Sequence, residues 1–186
     1  MLKNKFFAIT LVGISMFLGS TAGAEVCNYN CEENCSPSSY SAYTYFKLGA
    51  GVLSAKDWKD LMPALGAGRR YEWNGKAVDI SANYSIAGKH GYHYSIPKIM
   101  YLQYLTPEAD SSPYFGGGLS WGELHNKRKG QKFQGIFGEL AAGYEFQRNS
   151  PIRTFVQLDL SQGLIAHHKH KSTPAPALAL TAGIGF

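Results

Sequence analysis

The sequence is poor in charge, in cysteine and in long apolar runs. Charged residues make up 17% of the 186 residues, and there are three cysteines. So little charge excludes a disordered chain and a nucleic-acid-binding tail, both of which are rich in charged residues. No apolar run after residue 40 is long enough to cross a bilayer as a helix, which excludes a helical membrane domain there.

Glycine and aromatic residues are plentiful instead, with 21 glycines, 12 tyrosines and 10 phenylalanines. This composition favours strands joined by tight turns, and the length is that of one domain. The sequence therefore predicts an all-β fold over residues 41–186. Its eight predicted strands cover residues 41–53, 61–73, 76–87, 92–105, 113–123, 132–147, 151–164 and 174–186.

The first 24 residues are typical of a signal peptide. Lys3 and Lys5 precede an apolar run over residues 6–18, and Ala22-Gly23-Ala24 follows with the small residues that signal peptidase recognises. The run has about half the length of a membrane-spanning helix. We therefore expect residues 1–24 to be removed, and the mature chain to begin at Glu25.

Residues 25–40 are predicted to form a cysteine-containing leader. In a secreted chain Cys27, Cys31 and Cys35 are disulfide candidates, and three intramolecular pairings are possible. The odd number leaves one thiol free or available for a crosslink to another envelope protein. A zinc or iron–sulfur site normally needs four ligands, so no cofactor is expected.

The predicted strands have one apolar and one polar face. Over residues 152–164 the even positions are mainly aliphatic and the odd positions mainly polar, and in the last strand Leu178, Leu180 and Ile184 oppose small or polar residues. Broad side chains suit lipid, whereas small and polar ones suit a crowded lumen. The pattern predicts an eight-stranded antiparallel transmembrane β-barrel with short turns.

Aromatic residues near the strand ends are typical of membrane interfaces. We expect two aromatic girdles. One contains Tyr71, Trp73, Tyr101, Tyr104, Tyr144, Phe146 and Phe186, and the other contains Tyr92, Tyr94, Trp121 and Phe133.

The C-terminal strand resembles the sorting signal of bacterial outer-membrane barrels, with Phe186 as the last residue and Ile184 two before it. From Tyr43 to Phe186 the chain resembles the small eight-stranded barrels that include the OmpA membrane domain and OmpX. This resemblance implies insertion into the outer membrane of a Gram-negative bacterium by the barrel assembly machinery. The leader and the turns at 74–75, 106–112 and 148–150 would then face the periplasm, and the other four loops the exterior.

Two sequence features bear on the fourth strand and the first turn. Pro97 lies within the fourth strand, where it cannot donate a ladder hydrogen bond, so we expect a β-bulge there. The facing of Lys98 is therefore left open: on the lipid side it would have to extend toward the interface. Asn74-Gly75 predicts a type I′ hairpin turn.

Eight strands enclose a space that side chains fill, so an open diffusion pore is not expected. We expect the inward charges to pair as buried ion clusters, with Lys47 near Glu139 and Asp159, and Arg153 near Glu145. An ion or proton path through the lumen is the alternative. The predicted luminal charges are Lys47, Asp79, Glu139, Glu145, Arg153 and Asp159.

The outward loops are strongly basic, which favours binding of anionic lipopolysaccharide or acidic glycan. The alternative is a basic rim that is only solvated and binds nothing specific. The candidates for a metal site are His167, His168 and His170. The predicted anion-binding surface comprises Lys89, Lys127, Arg128, Lys129, Lys132, Lys169 and Lys171.

The sequence favours a non-enzymatic surface-interaction protein over two alternatives. Ser120, Glu123 and His125 could form the catalytic site of a lipid A-modifying enzyme, but alternation places Ser120 and Glu123 on opposite faces. The histidine-x-serine-asparagine run that is typical of lipid A deacylases is absent. A secreted lipocalin-like binder is the second alternative, since soluble barrels also alternate.

Overall fold

The computed structural model describes residues 40–53, 61–86, 91–127, 130–166 and 176–186. These residues form one closed antiparallel barrel in which each strand pairs with its neighbours in sequence and the first pairs with the last. The predicted all-β, eight-stranded fold is confirmed. The strands are β1 Ser41–Val52, β2 Met62–Trp73, β3 Lys76–Ile86, β4 Gly91–Tyr104, β5 Ser112–Asn126, β6 Gln131–Phe146, β7 Arg153–Ala166 and β8 Ala177–Gly185.

Pairing of the first and last strands closes the sheet. The Thr44 N–H donates to the Phe186 carbonyl at 3.0 Å, and the Phe186 N–H donates back to Thr44 at 2.9 Å. The barrel therefore leaves none of these strands with an unpaired edge. Within the described ranges, no helix is both long and apolar enough to cross a membrane.

The predicted type I′ turn between β2 and β3 is confirmed. Asn74 and Gly75 have φ angles of 47° and 74°, and a type I′ turn requires positive φ at both central positions. The turn fixes the register in which Trp73 pairs with Lys76, and this register carries along the whole hairpin. The inward and outward faces of β2 and β3 are therefore set at this turn.

The predicted bulge in β4 is also confirmed. Asn83 of β3 pairs with Ser95, whereas Ser81 pairs with Lys98, so two residues of β4 oppose one residue of β3. The pairing of β4 with β5 breaks at the same place. The extra residue shifts the alternation, and Ser95 and Lys98 both face the lumen, each about 1% exposed.

Charge and apolar surface are distributed as in a transmembrane barrel. Leu48, Leu140 and Leu180 lie on the outer face and are more than half exposed, whereas Arg70 and Glu145 in the lumen are fully buried. A soluble barrel would bury the aliphatic face and expose the charges. This inversion is the arrangement that a lipid environment requires.

Two of the aromatic residues assigned to the girdles are luminal instead. Tyr104 and Phe133 are 1% and 4% exposed and pack with inward-facing neighbours. Closeness to a strand end does not determine the face of a side chain, and alternation from Leu102 and from Phe137 places both rings inside. Outward girdle residues such as Tyr101, Trp121 and Tyr144 are 40–46% exposed.

Inward aromatic rings pack on inward glycines. A Cβ atom added at Gly183 would overlap the Phe155 ring, and one added at Gly143 would lie 2.5 Å from the Tyr114 ring. Removing the side chain on one strand makes space for a ring from the next, as in the packing of aromatic residues over glycine in designed barrels. The glycines therefore help the lumen to fill.

Candidate functional site in the barrel lumen

One group of luminal charges surrounds Asp159 of β7. Its two carboxylate oxygens accept from Lys47 at 2.8 Å and from Lys98 at 2.7 Å. Lys98 also lies 3.1 Å from Glu139, whose oxygens accept from the hydroxyls of Ser120 at 2.5 Å and Ser161 at 2.6 Å. Two lysines from β1 and β4 are thus held by two acids from β6 and β7.

A second group surrounds Arg70 of β2, which is fully buried. Its Nε lies 3.1 Å from Asp79 and its Nη1 lies 2.9 Å from Glu145. The guanidinium carbon also lies 4.8 Å from the centre of the Tyr114 ring and 5.2 Å from that of Phe155. The flat guanidinium therefore spans the lumen, bonded at its edges and packed against aromatic rings.

A third group lies toward the end of the barrel that carries the Asn74–Gly75 turn. Arg153 Nη1 lies 2.9 Å from Glu72 and 3.3 Å from Glu145. Arg148 lies 3.5 Å from Glu72 and packs over the Tyr104 ring at 4.0 Å. These arginines are about one-tenth exposed, so the network ends close to solvent at this rim.

Gln157 joins the first two groups. Its amide nitrogen donates to Asp159 at 2.7 Å, and its amide oxygen accepts from Tyr114 at 2.7 Å and from Arg70 at 3.2 Å. The result is one continuous network of five basic and five acidic side chains. Its members are Lys47, Arg70, Lys98, Arg148, Arg153, Glu72, Asp79, Glu139, Glu145 and Asp159.

The balance of charge explains how so many ions can be buried. An isolated buried ion costs several kcal/mol of desolvation, and only close pairing with further hydrogen bonds offsets this. Here each carboxylate of the central groups accepts from at least two donors. The network thus contributes specificity to the packing of the lumen, because removal of one charged member leaves a buried charge of the opposite sign uncompensated.

Beyond the Lys98 group the lumen is closed by apolar side chains. Leu53, Met62, Leu124, Phe133 and Phe137 form a buried cluster at that end of the described strands. Between this cluster and the lysines lies a cavity of about 30 Å³, lined in part by His93, Ser95 and Asn83. A cavity of this size has room for about two water molecules and for no larger solute.

The structure brings all six luminal charges predicted from the sequence into this network. Arg70 and Glu72 of β2 and Arg148 were not predicted from the sequence to be luminal, and the face of Lys98 was left open. The sequence does contain a pattern that places the β2 residues inside. Alternate positions on the small and polar face of this strand are occupied by Gly66, Gly68, Arg70 and Glu72. For Lys98 the face depends on the bulge.

Most of the predicted anion-binding surface lies outside the described residues. Within the described part of the chain, Lys127 is exposed, and Lys132 Nζ lies 3.4 Å from Glu123. The other predicted members, Lys89, Arg128, Lys129, Lys169 and Lys171, lie outside it, as do the signal peptide, Cys27, Cys31, Cys35, His167, His168 and His170.

The three residues of the alternative catalytic site are not assembled. Ser120 faces the lumen and donates to Glu139, whereas Glu123 on the outer face accepts from Tyr92 at 2.5 Å. His125 packs edge-on against the Tyr92 ring, with ring centres 5.5 Å apart. A nucleophile and its base would have to act from one side of the sheet, and here they are separated by it.

The two residues of the predicted sorting signal lie on the outer face. Ile184 is 47% exposed and Phe186 is 61% exposed, and the Phe186 ring lies 6.1 Å from that of Phe46. The end of β8 therefore presents an apolar and aromatic surface on the outside of the closed barrel.

Comparisons with known proteins support the fold. No protein-family model matches the sequence, and no curated protein matches it. Among solved structures, the crystal structure of Neisserial surface protein A (NspA) is similar, with a TM-score of 0.58 and 12% sequence identity over 78% of this chain and 97% of that one. The chain thus shares its eight-stranded barrel fold with a bacterial surface protein.

Proposed function

We propose that this chain is a non-enzymatic barrel of the bacterial outer membrane that contributes to envelope structure and surface interaction. One observation carries the proposal: the barrel has an apolar exterior and an interior filled by paired charges. Such a molecule is stable only where its exterior meets lipid. The likeness to a neisserial surface protein and the signal-peptide pattern support the same location.

The filled lumen argues for a structural role over transport of solutes. Ion pairs, aromatic rings and an apolar cluster occupy successive levels of the interior. A diffusion channel would need a continuous hydrated passage wider than the small cavity beside His93. Vesicles that contain the inserted protein are therefore expected to resist swelling in small sugars.

The test of the proposed location uses native membranes. Outer-membrane fractions would be analysed on gels with and without boiling, since closed barrels resist detergent until heated. We expect the protein in this fraction, with a heat-dependent change in mobility. Recovery as a soluble periplasmic protein without that change would favour the lipocalin-like binder and overturn the proposal.

Two finer features belong to the same proposal. The basic loops face the exterior and bind anionic lipopolysaccharide or glycan, and exposed Lys127 beside the barrel end is the described residue that supports this. Release of bound material by salt is expected for electrostatic binding, whereas release only by a chelator would indicate a metal site at the loop histidines. The leader lies in the periplasm, and a reductant-sensitive band on native-membrane gels is expected if its odd cysteine forms a crosslink.

A further inference from the structure

The outer face of the described strands carries one charged residue away from the strand ends, Arg69 of β2. Lys76 adjoins the Asn74–Gly75 turn, and the outward charges Glu123 and Lys132 lie toward the opposite end of the barrel. Arg69 is half-buried, and its backbone partners are Thr44 of β1 and Ile80 of β3.

Among the described residues no carboxylate pairs with Arg69, and its buried Nε has no hydrogen-bond partner. An arginine that faces hydrocarbon is strongly destabilising at the bilayer midplane and much less so near the interface. The position is therefore stable only if the guanidinium reaches the headgroup level and finds an anionic acceptor there. Arg70, the next residue, turns inward and has its acids inside the barrel.

The direction of the Arg69 side chain meets the first condition. Its guanidinium carbon lies 5.5 Å from the centre of the Tyr71 ring, and Tyr71 is the next outward residue toward the Asn74–Gly75 turn. Tyr71, Trp73 and Tyr101 belong to the aromatic girdle at that end, and such girdles mark the headgroup level. The charge thus points from the apolar band toward the interface.

The neighbouring surface has the shape to hold an acyl chain below that charge. Val78 of β3 pairs with Tyr71 of β2 on one side and with Tyr101 of β4 on the other, so an aromatic residue flanks it on each side, on strands about 10 Å apart. Ile80, 38% exposed, continues the apolar floor beside Arg69. The Arg69 guanidinium lies beside the Tyr71 ring, and Val78 and then Ile80 continue the apolar surface from the level of the rings toward the middle of the barrel.

We propose that Arg69, Tyr71 and Tyr101 form a binding site for one phospholipid molecule, with its phosphate on the Arg69 guanidinium and an acyl chain over Val78 and Ile80. This inference rests on the proposed membrane location and adds a specific lipid site to it. Phosphate is the acceptor that fits, because guanidinium binds its oxygens with two parallel hydrogen bonds and retains its charge at an interface.

The test measures lipid retention by native mass spectrometry of the mature protein in detergent, titrated with phosphatidylglycerol. Arg69→Gln removes the charge and keeps much of the stem, and Lys76→Gln is the matched control with the same loss of net charge. We expect one lipid per wild-type barrel and an apparent affinity about tenfold weaker for Arg69→Gln, since one charge-assisted contact is lost. Lys76→Gln is expected to bind as the wild type does.

Each other outcome is decisive. Equal binding by wild type and Arg69→Gln, equal weakening by both variants, or equal retention of a diacylglycerol that lacks phosphate would overturn the site. Gel mobility with and without boiling is measured on the same samples. A protein that shows no heat-dependent shift and does not insert into phosphatidylethanolamine–phosphatidylglycerol vesicles removes the proposed function, whereas a shifting, inserting barrel with unselective binding removes only the lipid site.

Discussion

Lys98 of β4 and Asp159 of β7, on strands that are not neighbours, meet across the lumen at 2.7 Å. This contact depends on the bulge at residues 96–97, because regular pairing from Ser95 would turn the lysine toward lipid. One local irregularity therefore supplies a cation to the centre of the barrel. Without the bulge, Lys98 would be an unpaired charge on the lipid-facing side of the strand.

Loss of this cation is expected to destabilise the barrel strongly. Lys98→Met leaves Asp159 with one lysine and Glu139 with two hydroxyl donors, so the cost should be about 3–5 kcal/mol, typical of a broken buried pair. Denaturant unfolding of the protein in vesicles would measure it. The matched control is Lys76→Met at the exposed start of β3, which should change stability by less than about 0.5 kcal/mol. Equal effects of the two substitutions would contradict the luminal role of Lys98.

Arg70 should be sensitive even to a conservative change. Arg70→Lys keeps the charge but cannot contact Asp79, Glu145 and Gln157 at once, because an ammonium lacks the planar fork of donors. We expect a clear fall in the temperature of the boiled-to-unboiled gel transition. Arg69→Lys, the neighbouring change on the outer face, is the control and should leave that temperature nearly unchanged. A similar fall for both would show that the inward face has no special role.

Strands β2 and β4 show which parts of the fold can be predicted from the sequence. Alternation and the turn residues between the segments together predict the eight strands. Alternation also indicates which side of most strands is apolar, because the period of two is a property of the extended backbone. It fails where the period is interrupted: Pro97 predicts a bulge but does not say how many residues are displaced, so the face of Lys98 stays open. Arg70 was missed for a different reason, since adjacent arginines must face opposite ways and only the positions of Gly66 and Gly68 reveal which one is inside.

The partners within the network could be foreseen only in part. Counting along strands brings Lys47 level with Asp159, but contacts across the barrel such as that of Gln157 with Arg70 depend on strand tilt and stagger, which the sequence does not specify. The luminal position of Tyr104 was likewise not predicted from the sequence. Its place near a strand end suggested an interfacial residue, whereas its hydroxyl lies within hydrogen-bonding distance of the luminal carboxylates of Glu72 and Glu145.

The glycine–aromatic packing predicts a reciprocal pair of substitutions. Gly183→Ala places a methyl group in the space of the Phe155 ring and should destabilise the barrel by about 1–3 kcal/mol through overpacking. Phe155→Leu alone leaves a partly filled space and also destabilises. In the double variant the methyl group fills that space, so its destabilisation should be smaller than the sum of the two single effects. Unfolding of all four proteins in the same vesicles would measure this coupling, and strict additivity would show that the two positions do not share the space.

The end of β8 predicts separate effects of Phe186 on assembly and on stability. The Phe186 backbone closes the barrel through two hydrogen bonds to Thr44, but its side chain is 61% exposed and touches only the outer surface. Phe186→Ala should therefore reduce the amount of barrel inserted into the outer membrane in cells, because it removes the aromatic residue of the predicted sorting signal. The fraction that does insert should unfold at nearly the wild-type denaturant concentration, since the luminal network is untouched. Phe46→Ala, which removes the neighbouring ring on β1, is the control and should not reduce insertion. A large loss of stability in inserted Phe186→Ala, with normal amounts in the membrane, would mean that the ring acts in packing and that β8 carries no sorting signal at this residue.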